Sequence, residues 1–100
     1  MRVLVIGGGG REHALIKKLK ESPEVTELFA LPGNGGIAAD AVCVPIGAGE
    51  IDKIADFAAE HKIDFAVVGP DEPLVRGCVD ALEARGVPAF GPNKAAAILE

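Results

Sequence analysis

The sequence predicts an α/β domain, a doubly wound parallel sheet of five strands with helices on both faces, and three observations predict it. Short aliphatic runs are followed at once by Gly- or Pro-rich segments, as at 2–6 (RVLVI, then GGGG) and 65–68 (FAVV, then GPDEP). Uninterrupted apolar runs of this length mark strands buried on both faces, the situation of central strands in a parallel sheet. Between such runs stand segments of helical period: Ile51, Ile54, Ala55 and Ala58, then Val75, Cys78, Val79 and Leu82, each set at i, i+3, i+4 and i+7. Finally, 100 residues that are 49% hydrophobic and 25% charged make ordinary single-domain composition. A chain of this size buries roughly 65% of its unfolded surface, so one domain spanning 1–100 is expected to fold without a disulfide or a structural metal.

The elements follow in order. Residues 2–6 form the first strand, feeding Gly7-Gly8-Gly9-Gly10. A helix over 11–21 carries Leu15 and Leu19 beside Ala14 and Ile16 and stops at Ser22-Pro23. Residues 27–31 are the second strand, with Pro32-Gly33-Asn34-Gly35-Gly36 as its loop. A short third strand at 41–44 precedes the helix of Ile51 to Ala58. The fourth strand, 65–68, ends in Gly69-Pro70-Asp71-Glu72-Pro73, and the next helix runs up to Gly86, which suits the position just past a helix end. The fifth strand is 87–90, and Asn93 is placed to cap a last helix from Lys94, still in helical pattern at Glu100. Alternating strands and helices imply right-handed βαβ units, here in the strand order 3-2-1-4-5. The winding then reverses between strands one and four, and ligands of such sheets bind at the carboxyl ends beside that point.

Composition removes several chemistries. Ten Lys and Arg against 15 Asp and Glu leave a net charge of −5 with no basic run, so neither nucleic acid nor an anionic membrane is an expected partner. No apolar stretch approaches the roughly 18 residues of a membrane span, and the amino-terminal apolar run is too short for a signal peptide core. A cytoplasmic protein is expected. Cys43 and Cys78 stand in apolar surroundings with no C-x-x-C, which reads as two buried, reduced thiols. His13 and His61 share no ligand spacing with each other or with a cysteine, so no metal site is expected. The single serine, Ser22, lies before a proline in a helix-ending turn without a G-x-S-x-G elbow, which removes a Ser-His-Asp hydrolase.

Four glycines between a buried strand and a helix permit positive φ and let a ligand approach main-chain N–H groups with no Cβ in the way. The helix start behind them favours a phosphate or carboxylate, although close packing of strand and helix accounts for glycines as well. The dinucleotide pattern G-x-G-x-x-G fails in both registers, with Glu12 or His13 where the third glycine belongs, and no G-K-[ST] follows to make a P-loop. Glu12 in a first helical turn either complements the dipole or accepts a hydroxyl or amine at the loop mouth. His13 is either packed against the sheet or a ligand contact, and Arg11 either pairs with a phosphate or is solvated. Asp71 and Glu72, held between Pro70 and Pro73, either start the next helix or face the glycine loop across the switch point, there contacting ribose hydroxyls or an amine.

Four strings occur in order: VIGGGGREHAL from Val5, PGN from Pro32, VGPDEPL from Val68 and FGPNKAA from Phe90. Together they closely resemble the N-terminal domain of the phosphoribosylamine–glycine ligase (glycinamide ribonucleotide synthetase) family, in the ATP-grasp superfamily, along the whole chain. Asp71 stands where the family commonly has Glu, and Asn93 where it commonly has Ser. The resemblance implies a Rossmann-like domain of an ATP-dependent ligase of de novo purine synthesis. In that reaction ATP phosphorylates the carboxylate of glycine, and the amine of 5-phosphoribosylamine attacks the acyl phosphate to give glycinamide ribonucleotide. It further implies that ATP and Mg2+ (or Mn2+) are held by later domains of the same polypeptide, and that no catalytic residue lies within these 100. This chain would supply a substrate-side wall made by Gly8, Gly9, Gly10, Arg11, Glu12, Asn34, Gly35, Asp71 and Glu72, with Glu12 and Glu72 toward the ribose and amine. The alternative is a non-catalytic Rossmann-like module that binds a nucleotide or a small anion.

Overall fold

A computed structural model of the chain describes residues 1–7, 10–32, 36–46, 50–68, 75–91, 94 and 97. The strands are β1 (Arg2–Gly7), β2 (Glu27–Pro32), β3 (Val42–Cys43), β4 (Phe65–Val68) and β5 (Ala89–Phe90). The helices are α1 (Gly10–Lys20), α2 (Ile51–Glu60) and α3 (Val75–Ala84), and a 3-10 turn spans Ile37–Ala39. All strand pairs are parallel, in the order β3-β2-β1-β4-β5, as the alternation of elements predicts.

Because successive side chains on a strand point to opposite faces, the apolar runs of β1, β2 and β4 serve two cores at once. On one face Leu4, Ile6, Phe29, Leu31, Ala66 and Val68 meet Ile54 and Ala58 of α2 and Cys78 and Leu82 of α3. On the other, Val3, Val5, Leu28, Ala30, Phe65 and Val67 meet Ile16 and Leu19 of α1 and Ile37 of the 3-10 turn. Helices therefore cover both faces, and among the described residues no polar or charged residue is buried.

The edge strands are shorter than the sequence suggests, for an identifiable reason. Residues 41–44 read as a strand, but the Ala41 N–H is taken by Ile37 O at 2.9 Å, closing the 3-10 turn. Residues 87–90 read as a strand, but the Val87 N–H donates to Leu82 O at 2.9 Å, finishing α3. Each residue thus lends its donor to the preceding element instead of the sheet. On the outermost strand Cys43 is half-buried, not buried as expected, whereas Cys78 lies in the core. Of the last helix, Lys94 and Ala97 are described and helical, and the Lys94 ammonium lies 5.0 Å from the ring centroid of Phe90. Its expected cap, Asn93, lies outside the described residues.

Two helices end in the same way on different residues. After α3, Gly86 N–H donates to Glu83 O and Val87 N–H to Leu82 O, with Gly86 at φ 79°. This is the Schellman arrangement, and its usual apolar contact is present, since Leu82 and Val87 share a core. After α2, Lys62 N–H donates to Ala59 O and Ile63 N–H to Ala58 O, with Lys62 at φ 52°. A left-handed L-residue costs roughly 1–2 kcal/mol, while glycine adds about 0.4–1 kcal/mol of unfolded-state freedom. Lys62→Gly is therefore expected to raise stability by about 0.5–1 kcal/mol. Chemical denaturation checks this; a loss of stability would mean that the Lys62 side chain holds the turn.

Candidate functional site

The register of the sheet decides where a site can be assembled. Gly7 pairs with Pro32, and Ile6 pairs with Val68, so β1, β2 and β4 run out at nearly the same level. Neighbouring strands stand about 4.8 Å apart, which brings the three exits together at the carboxyl edge, at the junction where the winding reverses. Gly7 itself has φ 134°, a conformation essentially restricted to glycine, and there the chain turns out of the sheet. Helix α1 begins at Gly10, so the four glycines are not one loop: the first is the end of a strand and the last is the start of a helix. The unpaired N–H groups of that first turn open at the same edge, next to the end of β1.

The structure brings Gly10, Arg11 and Glu12 to this edge as the first turn of α1. The other expected site residues, Gly8, Gly9, Asn34, Gly35, Asp71 and Glu72, lie outside the described residues, as do the side chains of Arg11 and Glu12. His61 belongs to the opposite edge. Its ring stacks on Phe57 with centroids 4.0 Å apart, and its carbonyl accepts from Arg2 Nη1 at 2.7 Å. Arg2 opens β1, its N–H donates to Asp64 Oδ2 at 2.6 Å, and its guanidinium pairs with Glu27 at 3.2 Å. This cluster ties the amino ends of β1, β2 and β4 and takes no part in the carboxyl edge.

One residue that the sequence did not single out sits beside α1. Asp40 follows the 3-10 turn, with Oδ1 accepting from Lys20 Nζ at 3.1 Å and Oδ2 lying 3.5 Å from His13 Nε2. His13 is half-buried and faces a carboxylate of the same chain, without a hydrogen bond at its Nε2. The hydrogen bond from Lys20 holds the Asp40 carboxyl below its ordinary value of 3.8, opposed by partial burial and helped by the charges of Lys20 and Lys17 and by His13. A depressed carboxyl adds stability above its unfolded pKa and loses it as pH falls through the folded value. The stability advantage of the unaltered chain over Asp40→Asn is therefore expected to be complete at pH 6 and to shrink as pH drops below 3.8. Denaturation midpoints of the two proteins along a pH series check this, and a pH-independent difference would remove the charge from the account. The pattern was hard to see because the partners are 20 and 27 residues away in sequence.

Among the described residues, no group of three or more His, Cys, Asp or Glu is placed to hold a metal ion, and no helix is long and apolar enough to cross a membrane. A parallel sheet that releases its central strands together beside the amino end of a helix defines an α/β domain of the doubly wound class. Within that class the particular family is clear. The family of the phosphoribosylglycinamide synthetase N domain matches residues 1–100, and this chain belongs to it. Over 100 aligned residues the chain is 51% identical to a phosphoribosylamine–glycine ligase of Caldanaerobacter subterraneus and 52% identical to one of Rhizobium meliloti. It is 50% identical over 102 residues to one of Escherichia coli K12. In each case the alignment covers 100% of this chain and 24% of the relative, so the chain spans about a quarter of the length of these enzymes.

Proposed function

We propose that this chain is the N-terminal, substrate-side domain of an ATP-dependent ligase that joins glycine to 5-phosphoribosylamine in purine biosynthesis, working in the cytoplasm. The observation that carries the reading is that relatives bearing the ligase name align over the entire chain at about half identity. In the reaction, the glycine carboxylate takes a phosphoryl group from ATP, leaving ADP. The amine of phosphoribosylamine then attacks the acyl carbon, the amide bond forms, and phosphate leaves.

In this reading the carboxyl edge receives phosphoribosylamine. Gly8, Gly9 and Gly10, with the first-turn N–H groups of α1, meet an anionic group of the substrate without a Cβ in the way. Arg11, Asn34 and Gly35 flank it. Glu12, Asp71 and Glu72 accept hydrogen bonds from ribose hydroxyls or from the amine, Glu12 and Glu72 foremost. ATP and Mg2+ (or Mn2+) are assigned to the remaining domains of the polypeptide, as the family resemblance implies.

Release of ADP by the full-length polypeptide is expected to require both glycine and phosphoribosylamine, and the 100-residue chain alone is expected to release none. ADP release that ignores the omission of glycine would overturn the reading. Binding of a nucleotide or small anion with no turnover in the full-length polypeptide would favour a non-catalytic module instead.

A further inference from the structure

We propose that the margin of the sheet between β3 and α2 is a docking surface, and that its occupant is a helix from the polypeptide beyond residue 100. The existence of that further polypeptide rests on the ligase reading, since the chain covers 24% of the length of its relatives. Among the described residues, Val42 and Met1 are the exposed large apolar side chains, and Val42, at 58%, is the more exposed of the two. Its partner in the register is Phe29, so Val42 points to the face roofed by α2 and α3. Half-buried Val44 and Ile46 follow on the same side. From α2, half-buried Phe57 meets Phe29 edge-on with ring centroids 5.5 Å apart, and exposed His61 stacks on Phe57. Together these residues make an apolar strip along the outer flank of α2.

The strip is open for a geometric reason. Strands stand about 4.8 Å apart and packed helices about 8–10 Å apart, so two helices cover roughly four strands. Helices α2 and α3 are drawn together, since a Cβ at Gly77 would lie 3.1 Å from Ile51 Cδ1 and Arg85 pairs with Asp56. Helix α2 is thereby held toward α3 and away from β3. On the other face the same margin is roofed, because the 3-10 turn lays the fully buried Ile37 in one core with Ala41 and Cys43. A further strand does not fit here. Ala41 and Ile46 turn their N–H groups back to Ile37 O at 2.9 Å and Val44 O at 2.7 Å, and Pro45 has none. A helix with one apolar stripe completes the roof instead. One exposed valine with half-buried neighbours offers far less than the roughly 800 Å² per partner that a stable complex of separate chains buries. A covalently linked segment, present at an effective concentration on the order of millimolar, needs no such area. That difference selects the rest of the polypeptide over a second copy of the chain.

The experiment uses the full-length polypeptide carrying Val42→Cys in a Cys43→Ala background, which leaves a single thiol on this segment, and follows maleimide labelling by mass spectrometry. Labelling of the introduced thiol in the folded protein is expected to run about 10-fold or more slower than in denaturant, and to be unaltered on dilution. Labelling within about twofold of the denatured rate would overturn the proposal. Slow labelling that becomes fast on dilution would mean that a second copy covers the strip, and would overturn the choice of occupant. In a second variant, Val42→Asp, amides of a helix beyond residue 100 are expected to exchange about 10-fold faster, with β1 and β4 unaffected. Unchanged exchange throughout the region beyond residue 100 would overturn the helix as occupant. Neither readout requires turnover. A protected thiol in a polypeptide without glycine-dependent ADP release would overturn the ligase reading alone, and turnover with a freely labelled thiol would overturn the docking alone.

Discussion

Leu4→Ala is expected to lower the unfolding free energy by about 2–5 kcal/mol, a large share of the roughly 5–15 kcal/mol that holds a domain of this size together. Leu4 is fully buried at the middle of β1, paired with Phe29 on one side and Ala66 on the other. Its side chain lies in the core roofed by α2 and α3. Truncation removes three carbons from a site with strands on both sides and helices above, so collapse to fill the space is limited and the cavity term adds to the transfer term. Val42→Ala provides the contrast, because Val42 is 58% exposed on the outermost strand and its truncation should stay within about 0.5 kcal/mol. The chain has no Trp or Tyr, so far-ultraviolet circular dichroism follows the transition. Equal effects of the two substitutions would mean that β1 is not the centre of the sheet.

Glu72→Gln, made in the full-length polypeptide, is expected to lower kcat/KM for phosphoribosylamine by about 10-fold or more, equivalent to roughly 1.4 kcal/mol or more of lost interaction. The change keeps size and polarity and removes the charge. KM for ATP is expected to stay nearly constant, because the carboxyl edge is proposed to receive phosphoribosylamine while ATP is assigned elsewhere. Gly9→Val should act in the same direction by steric exclusion, since a β-branched side chain would occupy the space a ligand needs beside the backbone. A structural role for Glu72 at the start of α3 makes the opposite forecast, with lowered thermal stability and unaltered phosphoribosylamine kinetics in the protein that remains folded. Measuring both KM values and the melting temperature on one preparation separates the two, and the second pattern would take Glu72 out of the site.

Much of this molecule could be read residue by residue. The runs at 2–6 and 65–68 declared themselves central strands because a strand with helices on both faces needs apolar side chains at every position, and few other settings require that. Gly86 was placed correctly past the end of α3 because a left-handed residue there is most often glycine. The proposed location of the site follows from strand order alone. Its membership was carried by the motif resemblance, since the expected site residues stand in loops whose types, Gly, Asn, Asp and Glu, also serve turns and helix starts.

What the sequence by itself determined is therefore whatever depends on local pattern: two-sided burial, helical period, the turn chemistry of glycine and the order of the sheet. Tertiary structure alone decided the rest. Lys62 adopts the left-handed conformation although nothing in its identity asks for it, because Ile63 must donate to Ala58 O and enter the core for β4 to begin. Ala41 and Val87 leave the ladder because neighbouring elements claim their N–H groups. His13, Lys20 and Asp40 meet only after α1 and the 3-10 turn dock on one core, burying Ile16, Leu19 and Ile37 together. Such contacts have no sequence period to betray them, since they are fixed by where the burial of other residues brings the chain.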